Sequence, residues 1–474
     1  MKKFIKYILA TLVIAAVMIS VTVAAIVCYP ENVFHSSYQS VIQDKFRVLK
    51  ETNDPKIIIV SGSSSGFGLN EQMLSEATGY KVANLGLHAG FYPLFYTELS
   101  KANINPGDIV LLGYEYGWQN KGAFDSIGTE LVMSGVDNNI EMYKYVPKKV
   151  WTSMLGYIFN FAYKKNTFVP QTGQYSREAF NENGQMTYPR DYIMSDYRNN
   201  IKAYGTVSAE NTEIGDDVVQ YLAEYKDFVE KRGASVYFVA PPLLSESVQC
   251  DKEDFISLKN LEEEQIGIPY ISNPLDYLYP ETLMSNSIYH CNSRGETERT
   301  RQLINDLYDA NIVEINNIES FARSKDNSII FIDDLAEYLK EINDLRYTVF
   351  ITIRDEGTNA LTEEIMQGLR NLGIKTELIG KFHNSFFAVI TNDGVYEQSG
   401  TELLEFSGTL TGGKTSFSVV SAGFDCGDRS SIVINGVEYS RNMTGLNIVV
   451  YNNEENYVVD TVNFNTFEGL APSR

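Results

Sequence analysis

The sequence predicts a mixed α/β protein: a doubly wound parallel sheet, then a smaller α+β domain, all behind an N-terminal transmembrane helix. Three observations carry that reading. A long uncharged apolar run opens the chain, strand-like and helix-like segments alternate as far as residue 310, and β-rich sequence begins near Asn311.

At the amino end, Lys2, Lys3 and Lys6 precede the run Tyr7 to Val27, which contains no charge and is long enough to cross a bilayer. The lysines are expected to stay cytoplasmic, which places everything after Pro30 outside the cell membrane. The competing reading is a signal cleaved near Ala24 and Ala25. Val27 before Cys28 makes a poor lipidation site. Val33 to Glu51 reads as a stalk or first helix.

The first strand is the β-branched run Ile57 to Val60, followed by Ser61-Gly62-Ser63-Ser64-Ser65-Gly66-Phe67-Gly68, a tight turn with hydroxyls at its crest. Asn70 caps a helix from Glu71 to Ala77, which Gly79 stops. Lys81 to Leu85 and Ile109 to Gly113 are the next strands, with a helix from Phe95 to Ala102 between them. Residues 118–212, rich in Tyr and Asn, read as an insertion over the carboxyl edge of the sheet. A helix from Asp216 to Arg232, strands at Ser235 to Ala240 and Tyr270 to Ser272, and an Asn292-capped helix from Arg294 to Tyr308 complete the domain. Glu262-Glu263-Glu264 reads as a solvated helix face.

Beyond Asn311, strands are expected at Ser328 to Ile332, Thr348 to Ile353, Phe386 to Ile390, Ser416 to Val420, Ser431 to Ile434 and Leu446 to Val450. Helices fall at Leu335 to Ile342 and Thr362 to Asn371. The expected organisation is thus an anchor over 1–30, an α/β domain over 31–312 and an α+β domain over 313–474.

A chain of 474 residues with net charge -22 is a poor partner for nucleic acid or an anionic membrane surface. The spacing of Cys28, Cys250, Cys291 and Cys426 shows neither a disulfide framework nor a metal cluster, and no cofactor is expected.

A serine on a strand–turn–helix crest points to nucleophilic catalysis with a histidine base, and the chain holds four histidines. His35 precedes the fold and His383 lies in the carboxyl domain, which leaves His88 and His290. His88 lies in the loop after the second strand and His290 just before the last helix of the domain, and loops at the outgoing edge of a parallel sheet can bring both to the serine turn.

The residues also carry a resemblance. Ile59 to Gly68 is similar to the Gly-Gly-Ser-x-x-x-Phe-Gly signature of the SGNH hydrolase superfamily, in the bacterial envelope branch related to D-alanyl-lipoteichoic acid transfer proteins. Matching the Phe-Gly implies Ser63 as nucleophile, and matching Gly-Ser-Ser implies Ser64. Asn84 to Gly90 resembles the second block, which implies an oxyanion-hole N–H from Gly86 or Gly90. Leu112 to Tyr116 stands where the family has an oxyanion asparagine, which this chain lacks. Ser287 to Asn292 resembles the last block, with His290 as base. Asn286 or Ser287 replaces the usual aspartate, and Asp276 is a candidate substitute.

Ser431 to Tyr439, Thr444 to Val450 and Val462 to Thr466 resemble an interleukin-like EMT inducer (ILEI) domain, with its other half similar to Leu335 to Ile390. The Gly-Leu-Asn half comes last here, which implies circular permutation. The resemblances imply a membrane-anchored extracellular esterase or acyltransferase. It would act on an ester of a cell-surface glycan or teichoic acid, with a membrane protein of envelope assembly as candidate partner. The alternative they imply is a degenerate binding protein that keeps the fold.

Overall fold

The computed structural model describes residues 2–194, 197, 200–410 and 412–474. α1 (Lys2–Cys28) is a single helix, apolar and long enough to cross a membrane. The chain then turns directly into the core. α2 (Val41–Glu51) buries Val41, Ile42, Phe46 and Leu49, so the segment expected as a stalk or first helix is a packed helix.

Four parallel strands follow: β1 (Lys56–Ser61), β2 (Lys81–Asn84), β3 (Ile109–Gly113) and β4 (Ser235–Phe238), in the order β2-β1-β3-β4. Between β1 and β3 lie α3 (Ser63–Gly66), α4 (Glu71–Thr78) and α5 (Tyr92–Ser100). Helices cover both faces of this sheet, as the alternation of a parallel strand buried on both sides requires. Ile58 and Val60 share a core with Leu94, Phe95 and Phe46, whereas Ile57 and Ile59 pack with Leu74 of α4. The caps work as the sequence indicates: Asn70 Oδ1 accepts the Met73 N–H at 2.9 Å, and Gly79 takes φ +74.

The insertion contains α6 (Thr129–Val136), α7 (Trp151–Thr167) and α8 (Ile201–Tyr204); Ser195, Asp196, Arg198 and Asn199 lie outside the described residues. It does two things. α6 and α7 pack against α1 and α2, and the stretch around Tyr175 and Arg190 reaches the edge of the sheet where the strands end.

α9 (Asp216–Glu230), the short parallel pair β5 (Leu243–Leu244) and β6 (Leu278–Tyr279), α10 (Lys252–Ile266) and α11 (Ser293–Asp309) complete this part. α11 adds Leu303, Ile304 and Leu307 to the Ile57 and Ile59 face. The strand expected at Tyr270 to Ser272 is reduced to one bridge, Phe238 to Tyr270. Glu262 corrects the expected solvated face of α10. It is only 2% exposed, accepts a 2.7 Å hydrogen bond from Gln119 Nε2, and burial pushes its pKa up to about 8.

The carboxyl part is a curled sheet carrying α12 (Lys325–Ile329), α13 (Leu335–Glu341) and α14 (Glu363–Asn371). Among the described residues its ten strands are β7 (Tyr347–Asp355), β8 (Ser385–Thr391), β9 (Gly394–Gly400), β10 (Leu404–Thr409), β11 (Ser416–Gly423), β12 (Arg429–Ile434), β13 (Val437–Glu438), β14 (Gly445–Asn452), β15 (Tyr457–Phe464) and β16 (Pro472–Ser473). β7 is central, antiparallel to β8 and β14, and meets β11 in parallel only at Arg354 and Asp355. The strand expected at Ser328 to Ile332 is instead the end of α12 and a turn. Ser324 accepts the Asn327 N–H there, starting a helix before the apolar run can extend.

One apolar core continues across the composition change at Asn311. Leu243, Phe255 and Met284 pack in the same cluster as Tyr338, Ile351 and Phe464. Arg441, after β13, sits between Glu246 Oε1 at 2.7 Å and Glu281 Oε1 at 3.1 Å, with all three side chains under a tenth exposed.

Candidate functional site

In this strand order the connections after β1 and β3 leave in opposite directions. The crevice between them is where a parallel sheet gathers ligand groups. The serine turn follows β1 and Glu115 follows β3, so both stand at that crevice.

Ser63 is half-buried, while Ser64 is fully buried with its Oγ 3.1 Å from Ser61 Oγ. Ser63 is therefore the hydroxyl at the crest. It donates to Glu115 Oε1 at 3.1 Å, and the same oxygen accepts the Ser64 backbone N–H at 2.7 Å. Gly62 makes room for this carboxylate, since a Cβ there would lie 2.9 Å from Glu115 Oε1. Burial raises the Glu115 pKa, opposed by the two serine hydrogen bonds and the Arg299 charge.

Two buried arginines hold the turn from beneath. Arg299 of α11 donates to Ser64 O at 2.6 Å and Ser65 Oγ at 3.3 Å. Arg190 donates to Phe67 O, to Cys291 O at 3.1 Å and to Glu296. Asn84, at the end of β2, ties in the third side by donating to Ser65 O and Glu71 Oε1, each at 3.0 Å.

The candidate oxyanion donors are both engaged within their own loop. The Gly86 N–H donates to Asn84 Oδ1 at 2.9 Å, and the Gly90 N–H to His88 Nδ1 at 2.9 Å. His88 thus acts as the cap of a short turn, and burial lowers its pKa. Gly86 also packs tightly on the serine turn, because a Cβ there would lie 2.7 Å from Gly62 O and 2.9 Å from Ser65 Cβ. Gly86→Ala is expected to lose about 1–3 kcal/mol of stability by overpacking. A matched Gly156→Ala variant, whose Cβ meets nothing within 4 Å, should show no such loss in the same thermal melts.

His290 stacks on Phe67, centroids 4.4 Å apart and planes 9° from parallel. Of the three candidates for orienting it, Asn286 is the one in place, with Oδ1 2.9 Å from His290 Nδ1. Tyr175 OH accepts from Asn286 Nδ2 at 2.7 Å and fixes that amide. Ser287 Oγ accepts the Tyr289 N–H, and Asp276 makes no hydrogen bond or ion pair with His290. Burial first, then the Arg190 and His88 charges, push the His290 pKa down to about 3. Neither Ser63 nor Ser64 is hydrogen-bonded to His290 among the described residues.

Beside Gly62 and Glu115 opens a cleft of about 440 Å³, walled by Tyr92, Tyr96, Tyr116, Trp118 and Tyr289. Glu115 stands in the loop where the resemblance expects an amide donor, so a carboxylate occupies that position instead. Arg190 and Arg299 carry no local signal, standing more than a hundred residues from the turn they support. Among the described residues no cluster of His, Cys, Asp and Glu could hold a metal ion, and all four cysteines are free.

Compared with protein-family models and with curated proteins, the chain matches none.

Proposed function

We propose that this chain is a membrane-anchored, outward-facing envelope protein whose SGNH-like α/β region binds carbohydrate in the cleft beside Glu115, with the ILEI-like carboxyl region fused to it as a second module. The observation that carries the reading is the Glu115 carboxylate resting on the Ser64 N–H and the Ser63 hydroxyl. A tetrahedral oxyanion needs donors and positive potential at that spot, and a carboxylate supplies the opposite charge. With Gly86 and Gly90 N–H engaged and His290 backed by an amide, the acyl-transfer machinery lacks its donors and its strong base. The accessible rings of Tyr92, Tyr116 and Tyr289 beside a hydrogen-bond acceptor suit a sugar, which offers C–H faces and hydroxyl donors.

One observation favours a second reading, serine-dependent ester transfer on a cell-surface glycan or teichoic acid. Asn286 Oδ1 on His290 Nδ1 holds the tautomer that leaves Nε2 as acceptor, the form a general base needs. In that reading Glu115 withdraws, His290 Nε2 takes the Ser63 proton as the Oγ attacks the acyl carbonyl, and that proton passes to the departing alkoxide of the ester.

The test pairs glycan-array binding with fluorophosphonate labelling of the full chain. The binding reading expects no serine labelling. It also expects a loss of about tenfold or more in array binding for Glu115→Ala, the worth of one charged hydrogen bond. Labelling abolished by both Ser63→Ala and His290→Ala overturns it in favour of ester transfer.

A further inference from the structure

Helix α7 has two apolar sides. Met154, Ile158 and Phe161 face the core, while Trp151, Leu155, Phe159 and Tyr163, spaced by four residues, stand 50% or more exposed on the other. Four large apolar side chains in one stripe are far more than a water-facing helix leaves bare.

The stripe is continuous with α1. Val23, Ile26 and Val27 of α1 pack against the same core as Met154 and Ile158. Lys165 of α7 caps the far end of α1, donating to Val27 O at 2.8 Å and Pro30 O at 3.0 Å while pairing with Asp137 at 2.8 Å. The folded body is thus joined to the end of α1 by a buried ammonium that donates to its carbonyls and is neutralised by Asp137. Between the helices runs an apolar groove of about 490 Å³ that reaches from Cys28 to Ile19 along α1 and takes in Trp151 and Leu155. At 1.5 Å per residue Ile19 lies about 13 Å inward of Cys28.

We infer that α7 is a second membrane element: it lies in the leaflet next to the folded body, with its Trp151–Tyr163 stripe among the acyl chains and one chain filling the groove. The inference rests on α1 spanning the bilayer, since only then does the groove lie at hydrocarbon depth. Trp151 suits the boundary because its indole N–H already donates to Val146 O at 3.2 Å, so the ring can enter an apolar layer without an unpaired donor. Lys148 and Lys149, exposed just before the helix, fit the headgroup level. The protein's negative charge is no obstacle, because the contact is apolar and needs no anionic lipid.

The chain holds two tryptophans, and Trp118 is 6% exposed in the core, so both emit but quenching by a label in the lipid reports Trp151. The full chain would be reconstituted in phosphatidylcholine vesicles containing lipid spin-labelled near the headgroup or deep in the chain. The expected result is loss of about half the emission with the shallow label, less with the deep one, and no such loss in Trp151→Phe. Wild-type protein quenched no more than Trp151→Phe, while resisting carbonate extraction, overturns the inference alone. Extraction of the wild type by carbonate overturns the spanning role of α1 and the inference together.

Discussion

Arg441→Ala lowers the stability of the whole chain by about 3–5 kcal/mol, the penalty for leaving buried charge without its partner. Its guanidinium joins Glu246 and Glu281 of the α/β part to the carboxyl sheet, and all three groups are nearly sealed from water. A domain of ordinary stability holds about 5–15 kcal/mol in all, so the change is large. Because one apolar core crosses between the two parts, the loss should move a single cooperative transition. Adding Glu246→Gln and Glu281→Gln to Arg441→Ala should recover part of it, as expected when unpaired charge causes the damage. Denaturant midpoints of the variants measure both effects. A shift under about 0.5 kcal/mol for Arg441→Ala, the range of an ordinary surface change, would show that the clasp contributes nothing.

Glu262→Gln stabilises the chain at alkaline pH by a few kcal/mol and leaves it unchanged in acid. The sign follows from the folded-state pKa of about 8, above the carboxyl's ordinary 4.5. Below pH 4.5 the side chain is protonated in both states and contributes no pH dependence. As pH rises toward 8 the unfolded chain ionises freely while the folded one resists, so wild-type stability falls across that window. Glutamine keeps the shape and the Gln119 hydrogen bond without a charge to bury. Thermal midpoints at pH 4 and pH 9 check it, and equal gains at both would assign the effect to something other than ionisation.

The strands and caps of the α/β part were legible because local signals and tertiary packing agree. Ile57 to Val60 is β-branched and doubly buried, and Asn70, Asn292 and Gly79 cap helices where they stand. The run Ser328 to Ile332 misled because its apolar residues do not alternate with polar ones, and Ser324 upstream decides for a helix turn. β9 and β10 were missed because Gly, Ser and Glu interrupt them and each is half solvent-facing.

At the site, the sequence identified which loops matter and the serine, glycine and histidine residues on them. Whether those residues form a catalytic set depends on contacts between positions far apart in the chain. Glu115 lies 52 residues from Ser63, and Arg299 lies 235 from Ser64. Hydrogen-bond donors such as Gly86 N–H have no composition signature of being already engaged. The sequence by itself determined the apolar α1, the parallel sheet and the serine-rich turn, because each rests on apolar runs, alternation or turn residues within one segment. The burial of Ser64, which leaves Ser63 at the crest, came from the fold. Only the tertiary structure decided that a carboxylate rests on that serine turn, that Glu262 is buried, and that α7 bares an apolar stripe beside α1. Those are properties of which surfaces meet, and burial is settled between segments rather than within one.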